Sequence, residues 1–253
     1  QSDPPHLSIV IPAYNEAARI LPYLTSITAY LGQRSISHEI LVIDDGSRDT
    51  TATLVEQFQT DEPGVRLIRL PRNRGKDYAV RTGMQQARGT LRLFADADGA
   101  TPIQELERLE AGIAQGADIA IGSRFLASRD SRYTVKARWH RSTLGNIFNW
   151  MIQRSGVRGI TDTQCGFKLF KGTVADDLFS VACIDGYGFD LELLYIAQHR
   201  GYKIAEVPIN WSDQPGSKVW VLKDGLSMLR ELLAVRRNDA RGLYAKKKTN
   251  LPK

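Results

Sequence analysis

The chain predicts an α/β fold, a mostly parallel sheet covered by helices on both faces. Two observations carry this expectation. From Leu7 to Ile121, short apolar runs alternate with stripes of helical period, the rhythm of strand–helix–strand units whose strands lie parallel between two helical layers. Carboxylates then recur just past the ends of those runs, at Asp44, Asp45, Asp96 and Asp98, where open α/β sheets collect their ligands. A chain of 253 residues, 42% hydrophobic and 25% charged, is long enough to give such a sheet one good core in a single domain.

Each element has its own signal. Leu7 to Pro12 is an apolar β-rich run, and Ile20, Leu24, Ile27 and Leu31 form a helical stripe after it. Glu39 to Ile43 is the second strand; Asp44-Asp45-Gly46-Ser47 closes it, with Ser47 or Asp49 placed to cap the next helix. Val65 to Leu70 and Leu91 to Ala95 are further strands, separated by a helix from Lys76 to Ala87. Ile103 to Ala114 reads as a helix and Asp118 to Ile121 as the fifth strand. Beyond Gly122 the rhythm changes. Arg124 to Arg158 mixes basic and aromatic residues without a convincing strand, Thr163 to Phe170 reads as a strand, Tyr187 to His199 as a helix and Lys203 to Ile209 as a strand. A helix from Lys218 to Val235 carries Leu222, Leu226, Leu229 and Leu233 on one stripe, suited either to core packing or to a membrane interface.

Charge and missing motifs narrow the function classes. From Lys223 to Lys253 there are nine Lys and Arg against three acids, a surplus equal to the chain's net charge of +6. A second basic stretch runs from Arg124 to Arg141. Such clusters seek an anionic partner: nucleic acid, an acidic membrane surface or a phosphorylated substrate. Nucleic acid is disfavoured, because the strand-end carboxylates would repel its backbone. No Gly-x-Gly-x-x-Gly follows the first strand, and there is no Walker loop, no His-Glu-x-x-His and no Gly-x-Ser-x-Gly. Cys165 and Cys183 lack disulfide or metal spacing and read as reduced thiols, hinting at a cytosolic location. No run of about 18 apolar residues is present. The chain opens at Gln1 without a signal peptide, which leaves room for an upstream segment or anchor.

Asp96-Ala97-Asp98 is the most informative local feature. Two carboxylates one residue apart at a strand end can converge on one Mg²⁺ or Mn²⁺ and so hold a diphosphate, although Asp-x-Asp also forms turns and helix caps. Pro12, Tyr14 and Glu16 close the first strand with an aromatic for a base or ribose and a carboxylate for sugar hydroxyls, or with a helix-capping Glu. Asp44 and Asp45 suit a base N–H and ribose hydroxyls, or a plain turn. Asn73 and Lys76 offer a polar contact and a cation near a nucleotide, or sit in a solvated loop.

Val10-Ile11-Pro12-Ala13-Tyr14-Asn15-Glu16, Val42-Ile43-Asp44-Asp45-Gly46-Ser47, Asn73-Arg74-Gly75-Lys76 and Asp96-Ala97-Asp98, in that order, resemble the nucleotide-sugar domain of inverting family-2 glycosyltransferases. The resemblance implies the GT-A fold, a Rossmann-like sheet, with a nucleotide-sugar half over 7–122, an acceptor half over 123–219 and an amphipathic, basic tail over 220–253. Gly122-Ser123-Arg124, Asp162-Thr163-Gln164-Cys165-Gly166-Phe167-Lys168 and Gly216-Ser217-Lys218 resemble the branch that glycosylates polyprenyl or dolichyl phosphate. Within it, Phe94 to Thr101 is similar to dolichyl-phosphate β-glucosyltransferases more than to the mannose synthases, where a Gln often stands at the place of Ala100.

The resemblance implies a UDP-sugar donor, UDP-glucose before GDP-mannose, held by Pro12, Tyr14, Glu16, Asp44, Asp45, Asn73, Lys76, Asp96, Ala97 and Asp98. It implies Mg²⁺ or Mn²⁺ on Asp96 and Asp98, an acceptor phosphate on Arg124, Arg138 and Ser142, and a mobile cation at Lys218. Asp98, Arg124, Arg138 and Lys218 are thus the expected catalytic set, and Asp190 and Glu192 candidates for donor sugar or cation orientation. A phosphate nucleophile needs no general base, in keeping with four scattered histidines. A GT-A enzyme acting on a sugar hydroxyl would need one, which Asp190 or Glu192 could supply. A long-chain lipid acceptor implies a protein lying on the cytoplasmic face of a membrane.

Overall fold

A computed structural model describes residues 3–136, 157–186, 188–214 and 221–245. Strands β1 (Leu7–Ala13), β2 (His38–Asp44), β3 (Val65–Arg69), β4 (Leu91–Ala95), β5 (Ile119–Ser123), β7 (Phe167–Lys171) and β8 (Ile204–Pro208) form one sheet in the order β3-β2-β1-β4-β7-β5-β8. All its pairings are parallel except those of β7, which runs antiparallel between β4 and β5. The mostly parallel sheet expected from the pattern is therefore present, with one reversed strand inserted between β4 and β5.

Both faces are covered, as the continuously apolar strands require. On one face, helices α1 (Ile20–Gly32), α2 (Thr51–Asp61) and α4 (Leu106–Ala114) bury Ile20, Leu24, Val55 and Leu109 against Ile9, Ile11, Val42 and Leu93. On the other, α3 (Lys76–Gln86), α6 (Gly172–Val181) and α7 (Phe189–His199) pack Val80, Leu178 and Phe189 against Val10, Ile43 and Phe94. Gly83 sets the height of α3. A Cβ there would overlap the side chains of Val10 and Ile43, so only glycine lets the helix sit this close to the sheet.

Differences from the sequence reading are local. β7 starts at Phe167, not Thr163, because the preceding residues turn to present the Cys165 carbonyl to Lys168 Nζ at 2.6 Å. Arg124–Ser128 is a short helix, α5, capped by Ser123 Oγ accepting from the Leu126 N–H at 3.1 Å. Val135–Lys136 (β6) pairs in parallel with Trp211–Ser212 (β9), a pairing too short to leave a periodic signal. The last helix, α8, spans Val221–Ala240. Among the described residues no helix is long and apolar enough to cross a membrane.

Candidate active site

The loops after β1 and β2 are clipped together. Asn15, at φ +55°, donates its N–H to Ser47 Oγ and accepts from the Arg48 N–H, while Thr51 Oγ1 and Asp49 Oδ2 receive the N–H groups of Glu16 and Ala17. Tyr14 is left 40% exposed at the top of this clamp, able to cover a planar ligand. Pro12 is buried within β1 opposite Ile43, so it shapes the strand end and presents no ring to the cleft.

Asp44 and Asp45, read from sequence as one recognition pair, divide their work. Asp44 Oδ1 accepts the Ser47 N–H at 3.2 Å and closes the turn. Asp45 is 2% exposed, and its two oxygens accept the N–H groups of Arg74 and Gly75, each at 2.8 Å. Burial raises the Asp45 pKa, against these donated bonds. Asp45 thus holds the 72–75 loop instead of standing open to a ribose. That loop delivers an exposed Asn73 and starts α3 at Lys76.

Asp96, Ala97 and Asp98 lie just beyond β4 in a turn that continues through Gly99 at φ +68°. Their approach comes from this turn, not from strand alternation. Asp98 Oδ1 accepts the Ala100 N–H at 3.0 Å; burial first, and then the neighbouring Asp96 charge, raise its pKa. Glu16, paired with Arg19 at 2.7 Å, feels both aspartates. Asp96 is paired with Lys76 at 2.5 Å. Burial works against the Lys76 charge, yet Asp96, Asp190 and Asp77 outweigh it and raise the lysine's pKa. Asp190 pairs with Lys168 at 2.6 Å, and Lys168 is only 1% exposed. Both ammonium groups face the Phe94 ring, Lys76 at 5.3 Å and Lys168 at 5.6 Å from its centroid. Two anion–cation pairs thus meet over one aromatic floor.

Gly166, like Lys168 and Asp162, is a residue of this site that the sequence reading left without a role. A Cβ there would fall on the Asp96 carboxylate, and the Asp96 N–H donates to the Gly166 carbonyl at 3.0 Å. Gly166→Ala is expected to displace Asp96 and lower kcat about a hundredfold, with the fold retained by circular dichroism. Unchanged turnover would show that Asp96 shifts freely.

On the far side, Arg124 is held by Asp162: its backbone N–H and Nε donate to Oδ2 at 2.8 Å and its Nη2 to Oδ1 at 2.7 Å. The guanidinium lies 5.4 Å from the Trp211 ring centroid and within electrostatic reach of Asp96. Arg124 is therefore brought to the aspartate cleft, with part of its fork already committed. Arg138, Ser142 and Lys218 lie outside the described residues. Glu192 is not brought to this cleft. It is 0% exposed and accepts from the N–H groups of Cys183 and Ile184 and from the Tyr244 hydroxyl at 2.6 Å. Helix α7 explains the split, since residues two apart on a helix do not share a face.

The donor set suits a hard divalent cation in one respect, two converging carboxylates whose mutual repulsion a cation would relieve. No group of three or more His, Cys, Asp or Glu able to hold a metal occurs among the described residues. A cation here would therefore take its remaining oxygens from substrate or water.

The family model for glycosyl transferase family 2 matches residues 8–179, which hold Tyr14, Asp44, Asp45, Lys76, Asp96, Asp98, Arg124, Asp162 and Lys168. The chain belongs to glycosyl transferase family 2. Within the family it is 37% identical to the dolichyl-phosphate beta-glucosyltransferase of Dictyostelium discoideum, over 91% of this chain and 74% of that protein. It is also 37% identical to the Homo sapiens protein of the same name, with the same two coverages, and 36% to that of Saccharomyces cerevisiae, over 94% and 76%. Among solved structures, glucosyl-3-phosphoglycerate synthase of Mycobacterium tuberculosis, crystallised with Mn²⁺, UDP-glucose and phosphoglyceric acid, matches with a TM-score of 0.65 at 18% identity, over 98% of this chain and 82% of that one. Mannosyl-3-phosphoglycerate synthase of Rubrobacter xylanophilus gives 0.68 at 19%, over 98% and 79%. These two share the glycosyltransferase fold.

Proposed function

We propose that this family-2 glycosyltransferase moves glucose from UDP-glucose to dolichyl or another polyprenyl phosphate, with inversion at the anomeric carbon. The observation that carries the reading is the 37% identity, over 91% of the chain, to a dolichyl-phosphate beta-glucosyltransferase. Asp96, Asp98 and Lys76 at the end of β4 and the start of α3 support it, since a nucleoside diphosphate leaves as an anion.

In this reading an acceptor phosphate oxygen attacks the anomeric carbon on the face opposite UDP. The new C–O bond forms as the bond to the β-phosphate breaks, and no proton has to move. With a second pKa near ~6 the acceptor phosphate is already largely dianionic at pH 7. The task left to the protein is to hold two anions in line. Arg124 takes the acceptor phosphate with its remaining N–H groups, Lys76 faces the diphosphate, and we assign Arg138 and Ser142 to the acceptor phosphate and Lys218 to the diphosphate from their motifs. Asp96 and Asp98 would hold Mg²⁺ or Mn²⁺, which when bound supplies positive charge to the leaving diphosphate. Tyr14, Asn73 and Asp44 line the nucleotide end. Asp190, ion-paired with buried Lys168, serves as a counter-ion and orienting group, which speaks against a hydroxyl acceptor that needs it as a base.

A panel of UDP-glucose, GDP-mannose and UDP-N-acetylglucosamine with a short polyprenyl phosphate, read by the mass of the lipid product, tests this. A glucosyl lipid from UDP-glucose is the expected product. Faster transfer of mannose from GDP-mannose would overturn the donor.

In this reading the protein works at a membrane surface, on its cytoplasmic face, and α8 with the residues after it has a surface for that contact. Leu233 and Leu243 are 63% and 51% exposed, among exposed Arg230, Arg237 and Arg241. Such a mixture binds anionic bilayers through both charge and apolar area. Floating with liposomes of mixed neutral and anionic lipid is the expected behaviour, and Leu233→Glu with Leu243→Glu is expected to leave most protein in the soluble fraction. Equal recovery of both forms would remove this surface from the scheme.

A further inference from the structure

We infer that Glu231 of α8 is a positioning residue for the donor site, acting through the chain segment that enters α7. The inference rests on the reading of Lys76 and Asp96 as donor contacts. The Glu231 carboxylate accepts the N–H of Gly188, the residue that caps α7, in a charge-assisted hydrogen bond. Two glycines make room for it. A Cβ on Gly186 would lie 2.7 Å from Glu231 Oε1, and one on Gly188 would lie 2.6 Å from Glu231 Cβ. Gly186 also needs its positive φ of +107°.

From this latch two short paths lead to the cleft. The Gly186 N–H donates to Asp77 Oδ2 at 2.6 Å, and Asp77 stands beside Lys76 in the first turn of α3, next to the Lys76–Asp96 pair. Burial and the Asp190 charge push the Asp77 pKa up to about 7, so the Gly186 N–H meets a carboxyl in a crowded anionic corner. In the other direction Gly188 begins α7, whose second residue, Asp190, grips Lys168. Lys168 in turn holds the Cys165 carbonyl, and the next residue, Gly166, lies under Asp96. A shift of Gly186 and Gly188 therefore moves both cation–carboxylate pairs over Phe94 together.

Attachment of α8 does not depend on Glu231 alone. Val235 is buried, the Tyr195 hydroxyl donates to Asp239 at 2.7 Å, and Tyr244, just past the helix, donates its hydroxyl to Glu192 of α7 at 2.6 Å. Loss of the carboxylate should loosen the latch and leave the helix in place.

The test is calorimetric titration of UDP with Mn²⁺ into the full chain, with steady-state kinetics and thermal midpoints on the same samples. Glu231→Ala is expected to weaken UDP binding and raise the nucleotide-sugar KM roughly tenfold, with kcat changing less; Glu231→Gln, which keeps an acceptor, should stay within about twofold of wild type. Glu231→Asp, which keeps the charge but draws it back by one methylene, should fall between them and covers the case of an alanine variant that does not fold. Wild-type UDP affinity in Glu231→Ala or Glu231→Asp overturns the inference. So does equal weakening in the alanine and glutamine variants together with a lowered midpoint, the mark of a merely structural role. Absence of UDP binding by the wild type overturns the donor-site reading itself, and this inference with it.

Discussion

Asp98→Asn is expected to lower turnover by about a thousandfold at saturating Mg²⁺ or Mn²⁺ and to remove the metal dependence of UDP affinity. The size follows from how little else the site offers a cation. Two carboxylates converge, no third His, Cys, Asp or Glu completes a cluster among the described residues, and Ala100 stands where a side-chain oxygen could have. Removing one charge of two leaves Asp96, already paired with Lys76 at 2.5 Å, a single full ligand with a competing internal cation. Asp98 also supports the turn through the Ala100 N–H, a bond that the amide oxygen of Asn can still accept. The variant therefore separates charge from shape. Calorimetry with UDP at zero and saturating Mn²⁺ checks the binding half, and product formation checks the other. Full turnover in Asp98→Asn would show that the leaving diphosphate is stabilised without this pair.

Much of the fold was legible because its signals are local. The alternation from Leu7 to Ile121 marks five strands and the helices between them, since each apolar face must meet the same sheet. Direction is not written in alternation, so the antiparallel run of β7 between β4 and β5 left no trace in the pattern of Phe167 to Lys171. The site shows the same division. Asp96 and Asp98 stand out by spacing, whereas the task of Asp45 depends on backbone donors at Arg74 and Gly75, 29 and 30 residues away. Glu192 looked like a partner of Asp190 because the two are close in sequence; the helix turned it into a buried anchor for Cys183, Ile184 and Tyr244. Gly166 carries no chemistry of its own, and only the closeness of the Asp96 carboxylate gives it meaning.

Asp162 offers the second large effect, and it separates what Arg124 does for the fold from what it does for the reaction. Asp162 is 9% exposed and receives three donors of Arg124, so Asp162→Asn leaves a half-buried guanidinium without its counter-charge and is expected to cost about 2–3 kcal/mol of stability. Burial alone would raise the Asp162 pKa, but the Arg124 hydrogen bonds and charge outweigh it and hold the carboxylate below its ordinary value. For a carboxylate depressed in the folded state, the stabilisation is present above the unfolded value of about 4 and is lost as pH falls through the lower folded value. Urea midpoints for the wild type should therefore drop in that acid range, and Asp162→Asn should lack this contribution. Pairing Asp162→Asn with Arg124→Met removes both charges together and should recover much of the stability, because no guanidinium is then left without its counter-charge and the amide oxygen that replaces the carboxylate can still accept the backbone N–H at position 124. Activity should not return with it. If Arg124 takes the acceptor phosphate, the refolded double variant stays about a hundredfold slow, with the loss borne by the lipid phosphate and the affinity for UDP intact. Recovery of turnover along with stability would make the Arg124–Asp162 pair a strut between β5 and the loop before β7, and the acceptor phosphate would have to be held by other cations.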